Sequence, residues 1–299
     1  MQRDEKSYMA YQRELIRPFI EATDSLPYGQ RIPSTWQPPE GFSYEKIDLD
    51  GPIVECLIPK ERKTEKVMFH LHGGAYALSL LDPYREASVE YSNIAGGAVV
   101  INVDYRTAPT DVYPTALEDC VKAYKWALEQ GYKSENMIFV GDSAGGNLVL
   151  AVTLYLRDHE MPLPKAIIAI SPWADLAFDL PSRENNIDKD VVIGNNASRI
   201  LEEAKKPSYL GKGDIKNPYI SPVNGDYTGF PPLLIQNGGH EILLDDGIIV
   251  YEKAKQVGVQ VKQTIYEGMS HDFQLLLPTL EESKAAWEEM SQFVKEIMA

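Results

Sequence analysis

Met137-Ile138-Phe139-Val140-Gly141-Asp142-Ser143-Ala144-Gly145-Gly146 decides how this chain is read. An apolar run of strand length meets a Gly-x-Ser-x-Gly pentapeptide, and a stretch of helical character continues to Arg157. Strand, tight turn and helix in that order hold the serine at the apex in a strained backbone conformation, so its hydroxyl stands clear of the sheet. The flanking glycines leave room for the close chain approach that such a turn demands.

Outward from this elbow, short β-prone runs alternate with helical stretches. The runs are Val67–Leu71, Ala98–Val103, Met137–Val140, Ala166–Ile170, Leu233–Ile235 and Val259–Ile265. Helical patterns fall at about 84–95, 114–130, 146–158, 243–257 and 279–298. Continuous apolar strands separated by helices predict an α/β fold with a parallel sheet covered on both faces. Ahead of them, Tyr44–Leu49 and Ile53–Ile58 read as a hairpin turning at Asp50-Gly51. Residues 8–20 read as an amphipathic helix. No linker or repeat divides the chain, so 1–299 is expected to be a single domain. The interval 177–218, rich in proline and carrying a polar helical segment at Asn196–Lys205, is a long insertion. Together with about 1–40 it is expected to cap the carboxyl edge of the sheet.

A serine hydroxyl needs a base and a group to orient that base. On an elbow of this kind, acid and histidine follow the serine in chain order, which leaves His159, His240 and His271. His159 ends the helix that leaves the elbow, about a helix length from Ser143. His240 follows Gly238-Gly239, where the acid belongs. His271 lies in a loop between the last strand and the last helix, and is the expected base. Carboxylates just beyond a strand's carboxyl end are the natural orienting group. Glu241 is therefore favoured, with Asp245 one helical turn further on as the alternative and Asp272 third. Adjacency of Asp272 to the histidine does not by itself imply hydrogen-bonding geometry.

His72-Gly73-Gly74-Ala75 ends the Val67–Leu71 run. Consecutive glycines let backbone N–H groups turn toward a developing oxyanion. Gly73, Gly74 and Ala144 are the expected donors, with His72 bracing the loop. His70 and His72 share a strand face, but no partner set for a metal accompanies them. No metal or organic cofactor is implied, and no phosphate loop is present.

The chain has 29 basic and 44 acidic residues, a net charge of -15, which disfavours nucleic acid and anionic membranes as partners. Two cysteines, Cys56 and Cys120, and an N-terminus without an apolar leader point to the cytoplasm. No apolar run reaches the roughly 18 residues of a membrane span.

From about residue 65 onward these motifs resemble the hormone-sensitive-lipase-like branch of the α/β-hydrolases, the bacterial esterases and acetyl esterases. His72-Gly73-Gly74-Ala75 is similar to that family's His-Gly-Gly-Gly, and Asp104-Tyr105-Arg106-Thr107-Ala108-Pro109 to its Asp-Tyr-Arg-Leu-Ala-Pro. Tyr113-Pro114-Thr115-Ala116-Leu117-Glu118-Asp119, Gly141 to Asn147 and Ser171-Pro172-Trp173-Ala174-Asp175 follow in family order. Two positions depart from it. Ala75 replaces a glycine, and Glu241 stands where the family's Asp-Pro-Leu-x-Asp has its triad aspartate.

The resemblance implies a mostly parallel eight-stranded sheet with a helical cap. It implies a serine carboxylesterase that hydrolyses small short-acyl esters through Ser143, Glu241 and His271. It also implies frequent homodimer pairing through the last strand and its neighbouring helix. Rival readings are an amidase resembling arylformamidases, and a non-catalytic small-molecule receptor on the same fold. An imidazole of ordinary pKa would place the rise of activity near pH 6–7.

Overall fold

The computed structural model describes residues 4–195 and 199–298. A 20-residue helix, α1 (Glu5–Asp24), opens the chain, capped by Asp4, whose carboxylate accepts from Ser7 N–H. It is longer than the predicted 8–20 because this cap supplies an earlier start. The hairpin follows as β1 (Phe42–Asp48) and β2 (Ile53–Pro59), antiparallel, with Asp50 and Gly51 both at positive φ in the turn.

The alternating part then runs β3 (Val67–Leu71), α2 (Asp82–Ile94), β4 (Val99–Asp104), α3 (Thr115–Glu129), β5 (Met137–Asp142), α4 (Ala144–Asp158) and β6 (Ala166–Ile170). The insertion contributes α5 (Pro181–Asn185) and α6 (Ile200–Lys205). Of the predicted helix Asn196–Lys205, residues 196–198 lie outside the described residues. The short α5 was not anticipated. After it come β7 (Leu233–Gly238), α7 (Leu244–Gln256), β8 (Val261–Tyr266), α8 (Phe273–Leu276) and α9 (Glu281–Ile297).

The eight strands form one sheet in the order β1-β2-β4-β3-β5-β6-β7-β8. Only the pairings of β2 are antiparallel; β4 through β8 pair in parallel. The alternation of side chains along each strand divides the interior into two layers. Phe69, Leu71, Ile101 and Phe139 pack with α3 and α4 on one face. Met68, Val100, Ile138 and Val140 pack with Tyr91 of α2 and Met290 of α9 on the other. Both faces are covered, which is why these strands read as unbroken apolar runs.

The in-register pairing of β3 with β5 sets Leu71 opposite Gly141. The ends of two neighbouring parallel strands, one carrying the glycine loop and the other the elbow, therefore open side by side. The crevice beyond the carboxyl ends of such strands is where α/β sheets place their sites.

Candidate active site

Ser143 has φ 53° and ψ -116°, a backbone conformation that non-glycine residues rarely occupy. It is held there from both sides: Ser143 N–H donates to Ile170 O at 3.0 Å, and Trp173 N–H donates to Ser143 O at 2.9 Å. A Cβ at Gly145 would collide with the Leu71 carbonyl, and one at Gly141 with the Gly145 carbonyl. The two glycines of the motif are thus required by the approach of α4 to β3 and β5. Asn147 ties the start of α4 to the chain on either side of the insertion, donating to Trp173 O and Ile220 O at 2.8 Å each.

The glycine loop differs from expectation at one position. Gly73 N–H, expected to face an oxyanion, donates instead to Asp142 Oδ1 at 3.1 Å. Asp142 is the variable residue of the elbow, and its other oxygen accepts from Tyr84 OH at 3.0 Å. A side chain at position 73 would strike the Asp142 carboxylate, so glycine is needed there for space. Among the described residues, the N–H groups of Gly74, Ala75 and Ala144 donate to no protein acceptor. Gly74 has φ 105° and Ala75 φ 56°, so the loop curls left-handed even where the family's glycine has become alanine.

His72 braces this loop. Its Nδ1 lies 2.7 Å from Gly73 O, its ring stacks on Tyr105 at 4.2 Å, and Tyr105 OH donates to His72 O at 2.7 Å. Burial drives its pKa down to about 4, so it is neutral at working pH. His70 pairs through Nδ1 with Asn102 Oδ1 at 2.8 Å. No group of three His, Cys, Asp or Glu that could hold a metal ion occurs among the described residues.

His271 Nδ1 lies 3.2 Å from Glu241 Oε2, and both side chains are buried. The extra methylene of glutamate is accommodated at its other oxygen. Oε1 accepts from the Asn237 side-chain amide and from Gly238 N–H at 3.1 Å, which fixes the rotamer. Asp245 is turned elsewhere, its Oδ2 accepting from Ser182 N–H of α5 at 2.7 Å. The structure thus brings Glu241, not Asp245, to the histidine. His240 points to Glu5 of α1 at 3.2 Å, and His159 caps α4 with its ring stacked on Tyr155 at 3.8 Å.

Asp272 does reach His271, but at the other nitrogen: Oδ2 is 3.0 Å from Nε2. Ser143 Oγ makes no hydrogen bond among the described residues. Ser143 and His271 nevertheless line one cavity of about 40 Å³ with Gly74, Asp142 and Asp272. Its apolar walls include Phe19 of α1 and Val192, Ile193 and Ile200 of the insertion. Gln12, fully buried on α1, donates to Gly268 O at 2.8 Å and accepts from Ser270 Oγ at 3.2 Å, bracing the histidine loop. Nothing in the sequence signalled that contact beyond a polar residue on the apolar side of a helix.

A sequence profile of the alpha/beta hydrolase fold matches residues 68–275. The chain belongs to that family. Its branch is that of the hormone-sensitive-lipase-like esterases. An acetyl-hydrolase of Streptomyces hygroscopicus is 36% identical over 234 residues, 78% of this chain and 77% of that protein. An esterase of Acinetobacter venetianus is 34% identical over 236 residues, covering 79% and 77% respectively. The crystal structure of an esterase from the bacterial hormone-sensitive lipase family superposes with a TM-score of 0.81 at 30% identity, covering 100% of both chains. An esterase/lipase from an uncultured bacterium gives 0.81 at 32% identity over 97% of this chain and 98% of that one.

Proposed function

We propose that this esterase is a serine carboxylesterase of small, short-acyl esters, working through Ser143, His271 and Glu241 by way of an acyl-enzyme. The observation that carries the reading is the buried Glu241–His271 pair opening on the same cavity as a serine held at φ 53°. Ser143 Oγ attacks the ester carbonyl while His271 Nε2 takes its proton and then delivers it to the leaving alkoxide. Glu241 accepts from Nδ1–H, which fixes the tautomer and favours the imidazolium formed in the step. Water then cleaves the acyl-enzyme by the same route. Nε2 must turn from Asp272 toward Ser143 for this, a contact that often tightens only once substrate is bound.

The oxyanion donors are the N–H groups of Gly74 and Ala144, with Ala75 beside them, since that of Gly73 is engaged by Asp142. Each such donor contributes roughly 3 kcal/mol to the transition state. A cavity of about 40 Å³ holds on the order of three waters, a size that suits an acyl group of a few carbons. α1 and the insertion act as the cap, because Phe19, Val192 and Ile200 form its ceiling.

The test is a p-nitrophenyl ester series from acetate to octanoate, with an aryl formamide alongside, and intact-mass analysis after an organophosphate. Expected results are a kcat/KM that falls beyond short acyl groups, faster ester than formamide turnover, and an adduct lost in Ser143→Ala. Failure of the organophosphate to modify Ser143 removes the nucleophile assignment. Preference for octanoate or for the formamide removes the substrate class.

A further inference from the structure

The histidine of this site carries two carboxylates, one on each ring nitrogen: Glu241 Oε2 at 3.2 Å from Nδ1 and Asp272 Oδ2 at 3.0 Å from Nε2. Asp272 can fold back onto its neighbour because its backbone is left-handed, φ 49° and ψ 31°, a conformation that aspartate, asparagine and glycine tolerate best. That backbone is pinned. Asp272 N–H donates to Ser171 Oγ at 3.2 Å, and Asp272 O accepts from the N–H groups of Leu275 and Leu276 at 3.0 Å each. The carboxyl group is buried, and among the described residues Oδ1 has no hydrogen-bond partner. A buried carboxylate so poorly served is costly, and the ring of His271 is the favourable contact that offsets this.

Asp142 at the end of β5 and Tyr84 and Tyr91 of α2 face the pair, with Glu241 after β7 on the far side of the ring. Asp190 of the insertion accepts from Ile242 N–H behind Glu241 at 3.0 Å. His70 Nε2 stands 3.7 Å from Asp142 Oδ1. Among the described residues no lysine or arginine forms an ion pair with Asp142, Glu241 or Asp272.

When the ring is protonated, Nδ1–H can donate to Glu241 and Nε2–H to Asp272, and both protons of the imidazolium are then engaged. In that form the ring cannot accept a proton from serine, and among the described residues Ser143 Oγ has no hydrogen bond to it. We propose that Asp272 is a positioning residue that competes with Ser143 for Nε2 of His271, holding the enzyme in a latched resting form and setting the pH above which it works. The inference rests on the reading of Ser143 and His271 as nucleophile and base. Unlatching is the loss of one proton from Nε2 to solvent. The neutral ring then presents a lone pair that the Asp272 carboxylate repels and that Ser143 O–H can meet.

The balance of effects agrees in direction. Burial disfavours a charged imidazole, but the adjoining Asp272 and Glu241 outweigh it and hold the His271 pKa well above the usual histidine range. Burial likewise raises Asp272, against the pull of the ring. Activity therefore rises on the alkaline side of the pH 6–7 interval expected from an ordinary imidazole.

Two variants test this, Asp272→Gly, which suits the left-handed backbone, and Asp272→Asn, which keeps the shape without the charge. The measurements are the pH profile of kcat/KM for p-nitrophenyl acetate and the NMR titration of the His271 imidazole. Removing a charge in direct contact lowers both midpoints by about 1–3 pH units, so activity at pH 6 relative to the plateau rises roughly tenfold per unit. Folded variants with wild-type midpoints, changed only by a constant factor at every pH, overturn the proposal. The NMR titration needs no turnover. A shifted imidazole midpoint where wild type and variants alike turn over no ester refutes the esterase mechanism while leaving the latch; an active wild type whose folded variants are inactive, or an unshifted midpoint in active variants, refutes the latch alone.

Discussion

Glu241→Gln gives the sharpest test of how the acid works, because the structure dictates how the new amide must sit. Oε1 of Glu241 receives two donors, the Asn237 side-chain amide and Gly238 N–H. A glutamine can satisfy both only by placing its oxygen there. Its NH2 then faces His271 Nδ1, now 3.2 Å from the carboxylate, and that nitrogen must become an acceptor. The neutral ring's proton moves to Nε2, where Asp272 holds it. The base is left with no lone pair toward Ser143.

The wrong tautomer, with geometry otherwise intact, costs serine proteases about 10⁴ in kcat. The same drop is expected here, about 5.5 kcal/mol of transition-state stabilisation. Stability should change by no more than about 1.5 kcal/mol, since Gln keeps both bonds to Oε1. Asp245→Asn is the control, because Asp245 serves Ser182 of α5 and not the ring. Steady-state kinetics on p-nitrophenyl acetate and urea denaturation of all three proteins decide the matter. A Glu241→Gln enzyme within tenfold of wild type, or an Asp245→Asn enzyme that loses the larger factor, refutes the assignment.

Four further outcomes follow from the packing. Asp246→Ala strips the partner from Arg183, whose Nη1 lies 2.8 Å from Asp246 Oδ2 with both side chains buried; urea denaturation should show a loss of about 3–5 kcal/mol. Burial raises the Asp246 pKa to about 6, so the folded state holds that proton more tightly than the unfolded one. The group's contribution therefore falls as pH rises from about 4 to 6, and Asp246→Asn should flatten the measured stability–pH curve over that window. Gly145→Ala drives a methyl into the Leu71 carbonyl and should destabilise by at least about 1–3 kcal/mol, with kcat falling as the elbow shifts, both measurable on purified protein. Phe19→Ala opens the ceiling of the cavity and should move the best p-nitrophenyl ester toward longer acyl chains at a stability cost of up to about 3–5 kcal/mol.

The parts of the site legible in sequence are those fixed by local backbone demands. Gly141 and Gly145 bracket the elbow because side chains there would meet carbonyl oxygens of the elbow and of β3, and that requirement appears as a spacing. Glu241 was legible for a similar reason: it follows β7 through Gly238, where a Cβ would run into the Met269 carbonyl. The sheet was legible because burial on both faces leaves long apolar runs. Strand ends were less so. β5 and β7 continue through Asp142 and through Gln236 to Gly238, and β8 begins at Val261 rather than Val259, because ladder pairing rather than hydropathy decides where a strand stops.

What stayed hidden depends on register and handedness, neither of which a linear pattern carries. Gly73 gives its N–H to Asp142 because the β3–β5 pairing sets Leu71 beside Gly141, which brings the loop just beyond β3 against the end of β5, 69 positions away in sequence. Gln12 reaches the histidine loop across 256 residues. Asp272 ranks third among the acids in sequence because adjacency to His271 does not by itself imply hydrogen-bonding geometry; a single left-handed residue brings the two side chains together. One backbone angle thus sets the directions from which the base is contacted. On the proposed mechanism, two buried carboxylates on one ring act in opposite senses: Glu241 at Nδ1 would prepare the ring to accept a proton at Nε2, and Asp272 at Nε2 would keep that position filled until the pH rises.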